Sequence, residues 1–257
     1  SGDYQEAAGR AQDVNNQANQ NLRNQTSTTP QSAIKSSHSE GKSHSSIKTV
    51  PVSQSGENQP VYGDNILSNS DVKSMNTALT EALLSLSNQT DQQAQATQQD
   101  IKSLKNIAYG VIASDKPSEF KEPLKNIKSR LENASKYNQQ FIDILSELEK
   151  SEHVDLSNEI KQVKEANNSI NDNLKSTNQL IDALSNGSSG QLEAVNVLRD
   201  LPNLNKRLDT LRNYIKKELN RNLLAVSNEI TDQLNKGQNT LSTIQSKLNT
   251  INRVINA

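Results

Sequence analysis

The side chains best suited to catalysis or metal binding are few in this 257-residue chain, which has three histidines and no cysteine. His38 and His44 lie in a Ser-rich stretch, and His153 lies near Glu152 and Asp155 at an expected helix break. A functional metal site needs preorganised ligands, which histidines in an unstructured stretch without cysteine do not supply. The sequence therefore predicts no metal site and no cofactor, and it excludes disulfides and cysteine nucleophiles.

Carboxylate pairs are the other candidates for acid–base chemistry. Glu147 and Glu149 fall on helix faces that we expect water to cover, with no cleft to perturb their pKa values. The chain also contains no glycine-rich phosphate loop, no G-x-S-x-G nucleophile motif and no H-E-x-x-H zinc motif. We therefore predict no catalytic residue, and we expect that the protein is not an enzyme.

Basic side chains cluster once, on the last predicted helix, around Tyr214; they are Arg207, Arg212, Lys216, Lys217 and Arg221. The whole chain has a formal net charge of -1, without the basic footprint that nucleic-acid binding needs. Residues 201–257 carry nine basic and four acidic side chains, whereas residues 71–200 carry 14 and 19. We predict no nucleic-acid partner. Pairing between these oppositely charged segments and simple solvation of the charges both remain open.

Composition and periodicity indicate the elements that must position these side chains. Only 32% of residues are hydrophobic and 3% are aromatic, while Asn and Gln make up about a fifth of the chain. The apolar residues recur at alternating spacings of four and three, the period of a coiled-coil seam. One seam runs through Leu156, Ile160, Val163, Asn167, Ile170, Leu174, Thr177, Ile181 and Leu184. A second runs through Val226, Ile230, Leu234, Gly237, Leu241, Ile244, Leu248, Ile251 and Ile255.

These patterns predict an all-α protein, an elongated rod of antiparallel coiled-coil or bundled helices over residues 70–257. The predicted helices span about 70–113, 123–150, 156–185 and 191–257, and Pro202 either starts a new helix or kinks the last one. Two glycines mark a turn at 186–190, and so short a turn requires its two helices to be antiparallel. Before the rod we expect a weak N-terminal helix over 1–24 and a disordered or loosely attached Ser/Thr/Gln-rich linker over 25–69.

Polar residues interrupt both seams, at Asn167, Thr177 and Gly237. A buried Asn can fix the register and oligomeric state of a coiled coil at a cost in stability. The alternative is a surface protein whose core is simply poor in apolar residues, and the sequence leaves both interpretations open.

The stretch from Leu234 to Ile251 reads L-x-x-G-Q-x-x-L-x-x-I-x-x-K-L-x-x-I and follows Asn/Gln-rich heptads. In these residues the chain resembles the helical ectodomain of the phage infection protein (Pip/YhgE) family of low-GC Gram-positive bacteria. It is similar in the same way to the related phage-receptor and type VIIb secretion subunits (YueB/EsaA). The resemblance implies a coiled-coil ectodomain at the extracellular face of the bacterial cell membrane, in a membrane-anchored parent protein. It carries over no residue-level binding site.

The termini are consistent with that expectation. The chain begins Ser1-Gly2-Asp3 and stops with its heptad period intact, so we expect a fragment of a longer protein. No window has the roughly 20 apolar residues that a transmembrane helix needs, and no signal peptide is recognisable. The leading functional hypothesis is a cell-surface receptor bound by bacteriophage tail proteins. The alternative is a structural or dimerising stalk in a secretion-system or envelope assembly.

We expect a protein partner to dock where side chains leave the regular seam. The resemblance implies a phage receptor-binding or tail-tip protein as the example of such a partner. The candidate partner-binding residues lie in the loop at 114–122 and in the turn at 186–190; they are Phe120, Asn186, Gly187, Ser188, Ser189 and Gly190. For Phe120, as for Tyr137, packing into the helical bundle is the alternative role. A homodimer is also possible.

Overall fold

The computed structural model describes residues 61–62, 65–66, 69–237 and 240–256. The predicted helix over 1–24 and most of the predicted linker over 25–69 lie outside these residues. Within the linker range, β1 (Val61–Tyr62) and β2 (Asn65–Ile66) pair antiparallel, with Val61 opposite Ile66. A short hairpin thus precedes the first helix at the C-terminal end of the linker range, and the linker prediction itself stays a prediction.

The described residues from Asn69 onward are almost entirely helical, which confirms the all-α class. The helices are α1 (Asn69–Ala113), a 3-10 turn (Pro117–Phe120), α2 (Lys121–Glu152), α3 (Ser157–Ser185), α4 (Gln191–Tyr214), α5 (Asn220–Asn235) and α6 (Leu241–Asn256). A π-helical segment, Ile215–Leu219, connects α4 to α5. The first three predicted helices agree with α1, α2 and α3 to within a few residues.

The single helix predicted over 191–257 is wrong, because the chain turns after Asn235. Gly237 was assigned to a seam, but its φ is +72°, a left-handed conformation that ends a helix and that glycine adopts without strain. Pro202 lies within α4, so it does not start a new helix, and the chain is helical through the proline as the alternative of a continuous helix required.

The described chain divides into two compact units, each of which is treated separately. Unit 1 contains Asp91–Ile142 and Ile160–Asn213, and so includes parts of α1, α2, α3 and α4. Side-chain contacts join these helices in chain order and close the ring between α4 and α1. They are Asp100–Arg130 for α1–α2, Ser135–Asn171 for α2–α3, Glu165–Arg207 for α3–α4 and Asp91–Arg212 for α4–α1. Unit 1 is therefore an antiparallel four-helix bundle, the arrangement expected of helices joined by short connections.

Unit 2 contains the described residues of 61–90, Asp143–Glu159 and the described residues from Tyr214 onward. Neutral side chains join the start of α1 to α5: Thr80 and Ser227 share a hydrogen bond of 2.7 Å, and Ser87 donates to Asn220 at 2.6 Å. The end of α2 contacts α6 through Lys247, whose Nζ lies 3.0 Å from the Glu152 carboxylate.

Residues of the predicted seams contribute to the cores of both units. All nine residues of the seam over 156–184 are buried, including the polar Asn167 and Thr177. Phe141, Leu79 and Leu104 are fully buried as well, although few aromatic residues contribute. A narrow apolar stripe on each helix is therefore enough to form these cores.

Candidate partner-binding site

The turn between α3 and α4 lies in unit 1 and is held by backbone hydrogen bonds. Ser188 N donates to Ala183 O at 2.9 Å, and Gly187 N donates to Leu184 O at 3.3 Å. With Gly187 at φ +82°, this pair of bonds is a Schellman motif, which satisfies the last carbonyl groups of α3. The backbone of the predicted turn is therefore well defined, while Asn186 and Ser189 remain exposed.

Position 190, at the end of the turn, requires glycine for two independent reasons. Its φ is +69°, and a Cβ added there would lie 2.9 Å from side-chain atoms of both Leu180 and Leu184. Its carbonyl accepts a 2.8 Å hydrogen bond from Ala194 N, which begins α4. Gly187 and Gly190 thus shape the turn, and a partner would contact it mainly through the exposed side chains.

Phe120 takes the packing role, which was the alternative to partner binding. Its side chain is 2% exposed, and a Cβ on Gly110 would lie 2.6 Å from the ring, so helix α1 approaches the ring closely only because residue 110 is glycine. The ring is covered by the bundle and is not available to a partner in this structure. Tyr137 is buried in the same way.

Sequence reasoning missed the apolar side chains that lie beside the turn. Leu192 is 68% exposed and Val195 is 41% exposed, both near the start of α4. On α1, Tyr109 is 53% exposed. Gln191 Nε2 donates to Ile112 O at 3.4 Å, which places the start of α4 against the end of α1. The buried residues of α4 begin with Ala194, Val197 and Leu201, at spacings of three and four, and Leu192 and Val195 lie outside this pattern. That departure was the feature that could have identified these two residues.

A buried ion pair lies in unit 1 between α1 and α2. Arg130 Nε donates to Asp100 Oδ1 at 2.8 Å, and both side chains are almost fully buried. Burial raises the pKa of Asp100 to about 6, although the nearby Arg130 charge and its hydrogen bond act in the opposite direction. Asp100, which lies in a polar stretch of α1, is thus a core residue.

Unit 2 contains a second polar cluster, around Glu159. This carboxylate is 4% exposed and accepts hydrogen bonds from Tyr214 Oη, at 2.9 Å, and from Asn222 Nδ2. Desolvation, followed by the hydrogen bond to Glu159, raises the pKa of the Tyr214 hydroxyl. Tyr214 directly precedes the π-helical segment, and the extra residue of a π-turn changes the direction of the side chains that follow.

The carboxylates and the histidine near the break between α2 and α3 were the remaining candidates for acid–base or metal chemistry. Glu149 is only partly exposed, and its Oε2 accepts a 2.7 Å hydrogen bond from Leu156 N. The prediction of a simply solvated carboxylate is therefore wrong for Glu149, while Glu147 is exposed as expected. Asp155 accepts hydrogen bonds from Ser157 Oγ, at 2.5 Å, and from Ser157 N, at 3.0 Å, and both lower the pKa of Asp155. His153 is an exposed turn residue with φ +55°, and His38 and His44 lie outside the described residues.

The basic stretch on α4 is partly neutralised within the chain. Arg207 lies 3.0 Å from the Glu165 carboxylate, and Arg212 lies 3.0 Å from the Asp91 carboxylate. Both cations belong to the positively charged segment 201–257 and both anions to the negatively charged segment 71–200, so the structure favours pairing over simple solvation for these two residues. Lys216, Lys217 and Arg221 are exposed.

Among the residues that the structure describes, no group of three or more His, Cys, Asp or Glu side chains is arranged to hold a metal ion. Over the same residues, no helix combines the length and the apolar character needed to cross a bilayer.

Comparison with known proteins finds no match among protein-family models, curated proteins or solved structures. The resemblance to the phage infection protein family therefore stays a prediction from the residues between Leu234 and Ile251.

Proposed function

We propose that this chain is a non-catalytic, partner-binding helical segment of a bacterial surface protein. The observation that carries the proposal is the exposure of Leu192 and Val195, 68% and 41%, immediately after the turn at 186–190. Large apolar side chains that remain in water beside a well-defined turn favour a protein-binding surface. The exposed Asn186 and Ser189 supply polar groups at the same place.

The wider identity of the partner rests on the resemblance alone. If the chain is an ectodomain of the phage infection protein type, its location is the extracellular face of the cell membrane and its partner is a phage receptor-binding or tail-tip protein. A bundle of amide-coated helices with an exposed turn suits such a role, because the turn is reachable while the core is protected.

The test is phage adsorption in the presence of the purified soluble chain. Phages that infect low-GC Gram-positive hosts are mixed with the chain, and the remaining infectious titre is measured. We expect the wild-type chain to lower the titre for at least one phage and the double variant Leu192→Ser/Val195→Ser to lose this effect. A matched control is Leu224→Ser, which removes a 43% exposed leucine from α5 in unit 2.

The turn itself is tested by Asn186→Ala/Ser189→Ala, which retains Gly187, Ser188 and Gly190. The retained residues matter because Ser188 Oγ accepts a 3.2 Å hydrogen bond from Gly190 N, so a full Gly-Ser replacement would also alter the backbone. Unchanged neutralisation by this variant would remove the turn from the proposed binding site.

The alternative, a dimerising stalk, predicts a different result. Sedimentation equilibrium would then give twice the chain mass of 28.3 kDa, and no phage would be neutralised. A monomer that blocks adsorption supports the receptor proposal, and a dimer that blocks none overturns it.

A further inference from the structure

A groove between α1 and α4 lies on one face of unit 1. It encloses about 360 Å³ and is lined on its apolar side by Ile101, Tyr109, Leu198, Leu201 and Pro202. Tyr109 is 53% exposed and Pro202 is exposed, so this apolar surface faces water. Val195 lies one helical turn before Leu198 on α4 and extends the same surface.

The charged side chains that line this groove are both cations, while an anion beside it, Asp209, accepts a 2.6 Å hydrogen bond from the lining residue Gln98. Lys102 and Lys105 line it from α1. On α4, Arg199 is a helical neighbour of Pro202, three positions away, and Lys206 is another, four positions away. All four cations are exposed, and none forms an ion pair with another described residue. An apolar groove bordered by unpaired cations is complementary to a ligand that combines apolar and acidic side chains.

The length of the groove limits the size of that ligand. Lys102 and Tyr109 are seven residues apart on α1, which corresponds to about 10 Å along the helix axis. A second helix of two to three turns spans this length and can place apolar side chains at i, i+3, i+4 and i+7 in the groove. Its acidic residues would then lie beside the lysines.

The larger groove in unit 2 lacks this complementarity. It encloses about 630 Å³ between α2 and α6, but its charged lining residues are Glu147 and Lys247, of opposite sign. Lys247 is already paired with Glu152 at 3.0 Å. Nothing in its charge distribution therefore selects one kind of occupant.

We propose that the groove formed by Ile101, Lys102, Lys105, Tyr109, Leu198 and Pro202 binds an acidic amphipathic helix of a protein partner. This inference rests on the proposed partner-binding function and specifies the chemistry of the partner. Apolar side chains of the bound helix pack against Tyr109 and Pro202, and Asp or Glu side chains pair with Lys102 and Lys105. Pairing at the rim contributes mainly to specificity and association rate, while the apolar contacts supply most of the affinity.

The test uses two fluorescein-labelled, helix-stabilised peptides and the full chain. Both peptides have Leu at i, i+3, i+4 and i+7, with Glu at the other positions in one peptide and Lys in the other. Fluorescence anisotropy gives the affinities. We expect the Glu peptide to bind at least ten-fold more tightly than the Lys peptide, and its affinity to fall as salt is raised. Equal affinities for the two peptides, or no binding of the Glu peptide, would overturn the proposal.

Two variants assign the binding to the groove. Lys102→Glu/Lys105→Glu should weaken binding of the Glu peptide at least ten-fold and Tyr109→Ser should weaken it several-fold. The matched control is Lys161→Glu/Lys164→Glu, which reverses two exposed lysines with the same i, i+3 spacing on α3 of the same unit. Equal losses from both charge reversals would show a non-specific charge effect and refute the groove.

The same variants separate this proposal from the proposed function. If the soluble chain neutralises phage and neither Lys102→Glu/Lys105→Glu nor Tyr109→Ser changes that, the receptor function stands and the groove is not its binding site. If the groove variants alter peptide binding while no phage is neutralised, the groove stands and the receptor function fails. A dimer in sedimentation that Tyr109→Ser converts to a monomer would identify a second copy as the occupant and overturn the acidic-helix proposal.

Discussion

Helix α1 makes two polar interfaces of different kinds. In unit 1 its contacts with α2 and α4 include charges: Asp100 pairs with Arg130, and Asp91 pairs with Arg212. In unit 2 its contacts with α5 are neutral, with Thr80 bonded to Ser227 and Asn76 Nδ2 donating to Thr231 at 3.0 Å. The same helix therefore depends on charge in one unit and on hydroxyl and amide groups in the other.

The difference has consequences for stability. Neutral hydrogen bonds respond little to pH or salt, whereas the contribution of a buried charge pair to stability changes when one partner is removed or when its protonation changes. Conditions that perturb charges should therefore affect the contacts of α1 in unit 1 more than its contacts with α5 in unit 2. Native-state hydrogen exchange can read the two units separately, because amides in each unit report its own opening.

The largest expected effect is that of Arg130→Met. This change leaves the Asp100 carboxylate buried without its cation, which should cost about 3–5 kcal/mol of unfolding free energy at pH 8. Urea denaturation followed by circular dichroism measures the loss. The double variant Asp100→Leu/Arg130→Met should recover most of it, because no charge is then buried. Equal losses in the single and double variants would show that packing around Arg130, and not the pair, is what unit 1 requires.

The pH dependence should follow Asp100 as well. Its pKa in the folded chain is raised from 3.8 to about 6, so the protonated form is favoured by folding. The contribution of this group is fully present below pH 3.8 and is lost as pH rises through about 6, a change of roughly 2–3 kcal/mol. Asp100→Asn cannot titrate and should not show this decline.

The difference between wild type and Asp100→Asn should therefore grow between pH 4 and pH 7, by circular dichroism and by hydrogen exchange in unit 1. Amides of unit 2 near Thr80 and Ser227 should show no such difference. A decline of equal size in the Asn variant would assign the pH dependence to other groups.

Amide side chains allow a second comparison between the units. Asn167 Oδ1 on α3 in unit 1 is buried and has no hydrogen-bond partner among the residues that the structure describes. In unit 2, by contrast, Asn76 Nδ2 donates to both Asn228 and Thr231. An unsatisfied buried polar group costs about 1–3 kcal/mol, so Asn167→Leu should raise the melting temperature. Asn76→Leu should lower it, since it removes bonds that are made. If Asn167→Leu and Asn76→Leu both lower the melting temperature, Asn167 contributes to stability in a way that its unsatisfied oxygen does not explain. A loss of helicity in Asn167→Leu would contradict the seam position of Asn167.

These contrasts define what the sequence could predict. The seams were predictable because a 3.5-residue period is a property of the chain alone, and all nine residues over 156–184 are buried. The turn at 186–190 was predictable because two glycines occur where the period stops. Gly237 was misassigned because a small residue fits the heptad count as well as a helix end, and only its φ of +72° distinguishes the two.

The candidate site was less predictable. Asp100 and Arg130 are 30 residues apart, so their pairing depends on the register between α1 and α2, which no local pattern reveals. The exposure of Tyr109 likewise depends on where α4 packs beside α1. Phe120 is aromatic, a residue type that is common at interfaces, but it is buried against Gly110. Aromatic type alone therefore does not distinguish core packing from partner binding.

The smallest expected effect separates the two interfaces most directly. Arg212→Met removes a pair whose side chains are 22% and 18% exposed, so it should cost no more than about 1 kcal/mol at low salt. Ser227→Ala removes one neutral hydrogen bond and should also cost about 1 kcal/mol. In 1 M salt the Debye length falls to about 3 Å, and the cost of Arg212→Met should shrink while that of Ser227→Ala stays the same. If the costs of both variants shrink together, salt is acting on the whole chain, and the division between a charged and a neutral interface fails. If neither cost changes, the Asp91–Arg212 contact acts as a hydrogen bond and its charge contributes nothing to stability.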